Sequence, residues 1–146
     1  MQKVKNFLKN RGVGYYLTPI AMALLVAAIC LYAANGVTAF SPKLEARAIV
    51  YAAISLAVCL ATLVVDFKPL KYVAYLLGLY AFMWFVYSQV TYIANVFVAI
   101  DGYTFSAGFV ATLVCYVAAA VVALVSAITD KWQPWAKQVE VVVTNE

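Results

Sequence analysis

Four long apolar segments constrain this chain more than any other feature of its sequence. They cover residues 16–35, 46–65, 70–95 and 107–128. A helix of about 20 mostly apolar residues is long enough to cross the hydrocarbon core of a bilayer, and each segment has at least that length. We therefore expect an all-α membrane protein, a bundle of four transmembrane helices.

The composition supports this expectation. Hydrophobic residues make up 67% of the chain and charged residues 11%, whereas a typical soluble domain is about 25% charged and about half apolar. The connections between the segments are too short to fold by themselves. We expect residues 1–130 to form one transmembrane domain and residues 131–146 to form a flexible cytoplasmic tail.

Basic residues predict the orientation, because cytoplasmic loops are enriched in Lys and Arg. Eight of the ten basic residues fall on one side of the predicted membrane: Lys3, Lys5, Lys9, Arg11, Lys68, Lys71, Lys131 and Lys137. The other side has Lys43 and Arg47. Both termini are thus predicted to be cytoplasmic, in the plasma membrane. The net charge of +4 indicates contact with membrane lipids rather than nucleic acid.

The residues that usually carry chemistry are few. The chain has no histidine, the commonest metal ligand and general base. Its three cysteines, Cys30, Cys59 and Cys115, all fall inside apolar segments, where cysteine acts as a small apolar side chain. We expect neither an enzyme nor a metal or cofactor site.

The first and third segments resemble each other. Tyr15–Asn35 aligned without gaps on Tyr75–Asn95 gives seven identities in 21 positions, among them Tyr32 with Tyr92 and Asn35 with Asn95. Two interpretations remain open. The chain is either a tandem repeat of two helical hairpins, or it contains two similar apolar helices by chance.

Small residues at a spacing of four predict helix-packing faces, because they let two helix backbones approach closely in lipid. The fourth segment carries Ala107, Ala111, Cys115, Ala119, Ala123 and Ala127, and the second carries Ala53, Ala57 and Ala61. Such faces pack within one chain, in a homo-oligomer or in a larger membrane complex.

A polar stripe marks the third segment, where Tyr80, Trp84, Ser88, Thr91 and Asn95 recur every three or four residues beside Gln89 and Tyr92. Polar side chains in hydrocarbon need protein partners or water, so we expect this face to point inward. The candidate ligand-binding residues are Tyr32, Asn35, Ser88, Thr91, Tyr92 and Asn95. They either line an outward-facing polar cleft or hydrogen-bond one helix to another.

The predicted function follows from these alternatives. We expect a small non-enzymatic integral membrane protein that acts as a subunit or an assembly or scaffold factor through helix packing. The alternative is a transport component that binds a small solute or a lipid in the polar cleft.

Turn residues predict the boundary before the last helix. Asp101-Gly102 is the predicted stop signal, because glycine readily adopts the left-handed conformation that ends helices. Thr104 or Ser106 then supplies the hydroxyl that caps the helix that follows.

Overall fold

The computed structural model describes residues 13–37, 43–64, 68–98, 102 and 104–129, and this part of the chain is all-helical. Its helices are α1 (Val13–Asn35), α2 (Ala46–Val64), α3 (Lys68–Ser88), α4 (Val90–Phe97) and α5 (Ala107–Thr129). Four of them, α1, α2, α3 and α5, are long and apolar enough to cross a membrane. The predicted tail, residues 131–146, lies outside the described residues.

The four long helices form an antiparallel bundle in which α1 packs mainly along α5, and α2 mainly along α3. Thr18 of α1 meets Ser126 of α5 at one end, which we call the Lys71 end after the buried lysine in the first turns of α3. At the opposite end Asn35 meets Gly108. We call this the Tyr32 end. Smaller contacts of α1 with α2 and of α3 with α5 close the bundle.

An aromatic cluster fills the core nearer the Tyr32 end. Phe85 is 1% exposed and lies at its centre, with ring centroids 5.3 Å from both Tyr32 and Tyr116 and 5.8 Å from Phe109. Tyr92 contacts Phe109 at 5.3 Å. Offset and edge-to-face pairs at these separations are favourable, so rings from α1, α3, α4 and α5 hold the bundle together here.

The third predicted span is divided in two. The sequence favours one helix across residues 70–95, but the structure has a turn at Gln89 between α3 and α4. The Ser88 hydroxyl donates to the Phe85 carbonyl at 2.7 Å, and the Gln89 N–H bonds to the carbonyl of Val86 at 3.0 Å. A serine that binds the preceding turn in this way bends a helix, which explains the interruption.

The boundary before α5 follows the prediction in part. The Phe109 N–H donates to the Ser106 Oγ at 3.2 Å, so Ser106 is the predicted cap. Gly102 has φ +68°, the left-handed conformation that glycine tolerates best. However, α4 already ends at Phe97, four residues before the predicted stop.

Candidate functional site

Two of the six candidate ligand-binding residues, Tyr32 and Ser88, form a continuous series of hydrogen bonds at the Tyr32 end. The Tyr32 oxygen accepts from the Glu45 N–H at 3.0 Å and lies 3.1 Å from Ser88 Oγ. Since the Ser88 hydrogen is donated to the Phe85 carbonyl, Tyr32 must donate to Ser88. The series therefore links α1 to the start of α2 and to the end of α3.

Tyr92, a third candidate, makes an equivalent link. Its oxygen accepts from the Ser106 N–H at 2.8 Å and its hydroxyl donates to the Thr104 carbonyl at 2.9 Å. Tyr32 and Tyr92 are 0% and 5% exposed, so both phenols are buried. Each one satisfies a backbone N–H at the start of the helix that follows it in the chain.

The remaining three candidates lie nearer the surface. Asn35 is exposed, donates to the Leu31 carbonyl at 3.1 Å, and packs so tightly on Gly108 that a Cβ there would lie 2.5 Å from its side chain. Thr91 is exposed and Asn95 half-buried on α4. The predicted inward stripe is also shifted, because Tyr80 is 48% exposed and the side chains that point inward are Gln89 and Tyr92.

Gln89 is one of several buried polar residues that are not among the six candidates. It is 1% exposed, and its Nε2 donates to the Gly36 carbonyl at 3.0 Å. Its Oε1 is buried and has no hydrogen-bond partner in the described part of the chain. The sequence feature that could have identified Gln89 is a side-chain amide within an apolar segment. In hydrocarbon such a group seeks hydrogen-bond partners inside the bundle.

The predicted packing residues divide between the interior and the surface. On α5, Ala119 and Ala127 are buried, Ala111, Cys115 and Ala123 are half-buried, and Ala107 is exposed. On α2, Ala53, Ala57 and Ala61 are all exposed. The α2 row thus lies on the outside of the bundle, whereas much of the α5 row packs within it.

Four buried positions of α1 recur, sixty residues later, in α3 and α4. The buried residues Gly14, Ala21, Leu25 and Tyr32 correspond to the buried Ala74, Ala81, Phe85 and Tyr92. The carbonyls of Gly14 and Ala74 each accept from a serine of the neighbouring helix, Ser126 and Ser55, but the two serines occupy different positions in α5 and α2.

In the described part of the chain, the charged side chains of Glu45 and Arg47 lie close to the start of α2 and that of Lys71 close to the start of α3. Glu45 and Arg47 are 3.6 Å apart, and the Arg47 guanidinium lies 4.6 Å above the ring of Trp84. Lys71, which the charge count assigns to a cytoplasmic connection, is only 8% exposed. Among the described residues, no cluster of three or more His, Cys, Asp or Glu side chains could hold a metal ion.

Comparisons of the chain with protein-family models, curated proteins and solved structures find no match. What the protein can do has to follow from its own residues.

Proposed function

We propose that this chain is a small, non-enzymatic integral membrane protein of the plasma membrane that acts as a subunit or assembly factor through helix packing. Large apolar side chains on its outer surface support insertion into lipid. Val64 is 82% exposed, Phe97 76%, Tyr87 68% and Leu76 62%. Apolar surface of this extent is unfavourable in water.

The scaffold proposal rests on one observation: the polar groups at the Tyr32 end form hydrogen bonds within the protein. The hydroxyls of Tyr32, Ser88 and Tyr92 are bonded to backbone groups or to one another. Hydroxyls that hold helix ends together are less available to a solute. They favour a rigid body over a ligand-binding cleft.

The outer face of α2 is the surface that we assign to the partner. Ala53, Ala57 and Ala61 form an exposed row of small side chains, with Val50 52% and Leu60 50% exposed beside it. Because lipid gives helices no hydrophobic reason to associate, close backbone approach at small residues is a main source of affinity. A helix of a second protein or of a second copy would pack on this row.

Ala57→Ile tests the partner surface. We expect native lipid particles with the wild-type chain to keep a stoichiometric partner or a second copy by mass spectrometry, and Ala57→Ile to lose it. Ala23→Ile is the matched control, because Ala23 is an exposed alanine well inside α1 and its variant should keep the partner. Retention in both variants would contradict the assignment to α2.

The alternative, a transport component that binds a small solute or a lipid, is favoured by one observation. The buried Gln89 Oε1 has no partner in the described residues, and it lies at a helix interruption, a feature of many transporter sites. A lone homo-oligomer that retains a lipid or small molecule in the same experiment would support this second function.

The orientation with both termini in the cytoplasm is part of the proposal. Cysteine introduced at the exposed Thr104 should react with an impermeant thiol reagent added to intact cells, and cysteine at Lys137 should react only after permeabilisation. The wild-type chain is the control for its own free cysteines. The reverse labelling pattern would overturn the orientation.

We also propose that the two hairpins arose by duplication. Four buried positions that recur after sixty residues and the equivalent roles of Tyr32 and Tyr92 support it. Chance similarity of two apolar helices gives no reason for both phenols to accept from an N–H at the start of the next long helix.

A further inference from the structure

The half of the bundle towards the Lys71 end contains two adjoining cavities. Their volumes are about 20 Å³ and about 10 Å³, and they share the lining residues Ala21, Cys59, Ala74 and Ala123. Gly78 lines the first cavity and has no side chain to fill it. A Cβ added to Gly78 would lie 3.3 Å from Ser55 Oγ. Since one water needs roughly 10–15 Å³ of such space, the cavities have the size of one or two water molecules.

Hydroxyl oxygens line this space as acceptors. Ser55 Oγ lines the first cavity and donates its hydrogen to the Ala74 carbonyl at 2.7 Å. In the second, Thr62 donates to the Cys59 carbonyl at 2.6 Å and Ser126 to the Gly14 carbonyl. Each hydroxyl has thus used its one hydrogen, and its oxygen can still accept a hydrogen bond.

Tyr116 supplies the group that requires a partner. It lines the first cavity, is 1% exposed, and its phenol oxygen has no hydrogen-bond partner among the described residues. A buried hydroxyl left unpaired destabilises the folded state. Buried waters commonly satisfy such groups.

We propose that these cavities are a binding site for water, with the first molecule held between the Tyr116 hydroxyl and Ser55 Oγ. A second water lies between the hydroxyls of Thr62 and Ser126 and extends the row towards Lys71, whose ammonium group carries three donors. The row ends at the aromatic cluster, where the ring of Phe85 stacks on Tyr116 at 5.3 Å. Water thus enters one half of the bundle and stops near its middle.

Water-edited solid-state NMR of the full chain in lipid bilayers tests this site. We expect magnetisation to pass from water to the signals of Ser55, Cys59 and Gly78. Ala57 on α2 and Leu76 on α3 are the controls, because both are exposed on the outside of these helices and should receive none. Absence of transfer to the three cavity residues would overturn the proposal.

Tyr116→Phe tests whether the Tyr116 hydroxyl holds the first water. Tyr87→Phe is the control, because Tyr87 is an exposed tyrosine. The Tyr116 variant should lose the transfer at Ser55 and Gly78 and unfold at a lower temperature than the Tyr87 variant. Transfer that persists, or a Tyr116 variant as stable as the control, would overturn the assignment.

Gly78→Ala is the second variant, because it fills the cavity and keeps every hydroxyl. Loss of transfer at Ser55 is expected in this variant. Unchanged transfer would place the water elsewhere and contradict the site.

Discussion

At the scale of single residues, two phenol groups fix where helices begin. Tyr32 accepts from the Glu45 N–H just before α2, and Tyr92 accepts from the Ser106 N–H just before α5. The first N–H groups of a helix have no partner within it, and in an apolar environment each unpaired group is costly. The two tyrosines therefore supply what water supplies at the helix ends of soluble proteins.

Tyr32→Phe and Tyr92→Phe should each lower the free energy of unfolding by about 1–2 kcal/mol, because each removes the acceptor of a part-buried backbone N–H and the hydroxyl's own donated bond. Reversible unfolding in mixed micelles measures the change. Tyr87→Phe is the control, since Tyr87 is 68% exposed and its variant should lie within about 0.5 kcal/mol of wild type. Similar losses at Tyr32 and Tyr92 are also what the duplication predicts, and a loss at only one would argue against equivalent roles.

The sequence identifies Tyr32 and Tyr92 as candidate ligand-binding residues, because polar side chains in apolar segments need hydrogen-bond partners. That requirement does not show whether the partner is a ligand or a backbone group. Tyr116 carries the same signal, with Thr112 four residues before it on α5, and the sequence alone does not distinguish it from a tyrosine that faces lipid. That it lines one cavity together with Ser55 depends on how four helices pack.

At the scale of elements, the third span shows how one hydroxyl changes a helix. The Ser88 hydroxyl bonds to the Phe85 carbonyl, and Gln89 uses the carbonyl of Val86. The turn that results separates α3 from α4 and turns Gln89 and Tyr92 towards the core. The hydrophobic periodicity predicts a continuous helix here. It does not reveal that a serine hydroxyl competes with a backbone N–H for the same carbonyl.

Ser88→Ala should restore the helix at this turn, because the Phe85 carbonyl is then available to the Gln89 N–H. We expect the Cα chemical shift of Gln89 to move towards helical values in bilayer NMR spectra. Thr91→Ala is the control, since Thr91 is exposed on α4 and should leave that shift unchanged. If the Gln89 shift is the same in wild type and Ser88→Ala, the serine does not cause the interruption.

At the scale of the whole molecule, hydropathy predicts how many helices there are, but not which faces meet. Lipid and protein core are both apolar, so a face that contacts lipid resembles one that is buried. The alanine spacing of four illustrates this, because Ala119 on α5 is buried and Ala57 on α2 is exposed. The packing partners are set by side-chain shape across helices, which a single sequence does not reveal.

Phe85→Ala should destabilise the whole bundle, because Phe85 contacts rings on α1 and α5. A cavity on the order of 100 Å³ costs about 2 kcal/mol at about 24 cal/mol per Å³. Phe97→Ala, at a residue 76% exposed, is the control and should unfold as wild type does in mixed micelles. Equal stability of the two variants would mean that the aromatic cluster does not hold the helices together.

The close packing of α1 on α5 has a consequence for biosynthesis. The chain is made from its N-terminus, so α1 is synthesised first, and the helix that covers most of its buried face is the last of the five. The Gly14 carbonyl and the Thr18 hydroxyl cannot meet Ser126 until α5 has been made. Native packing of α1 therefore waits for α5, and until then the face of α1 that the bundle buries has to be covered by another apolar partner.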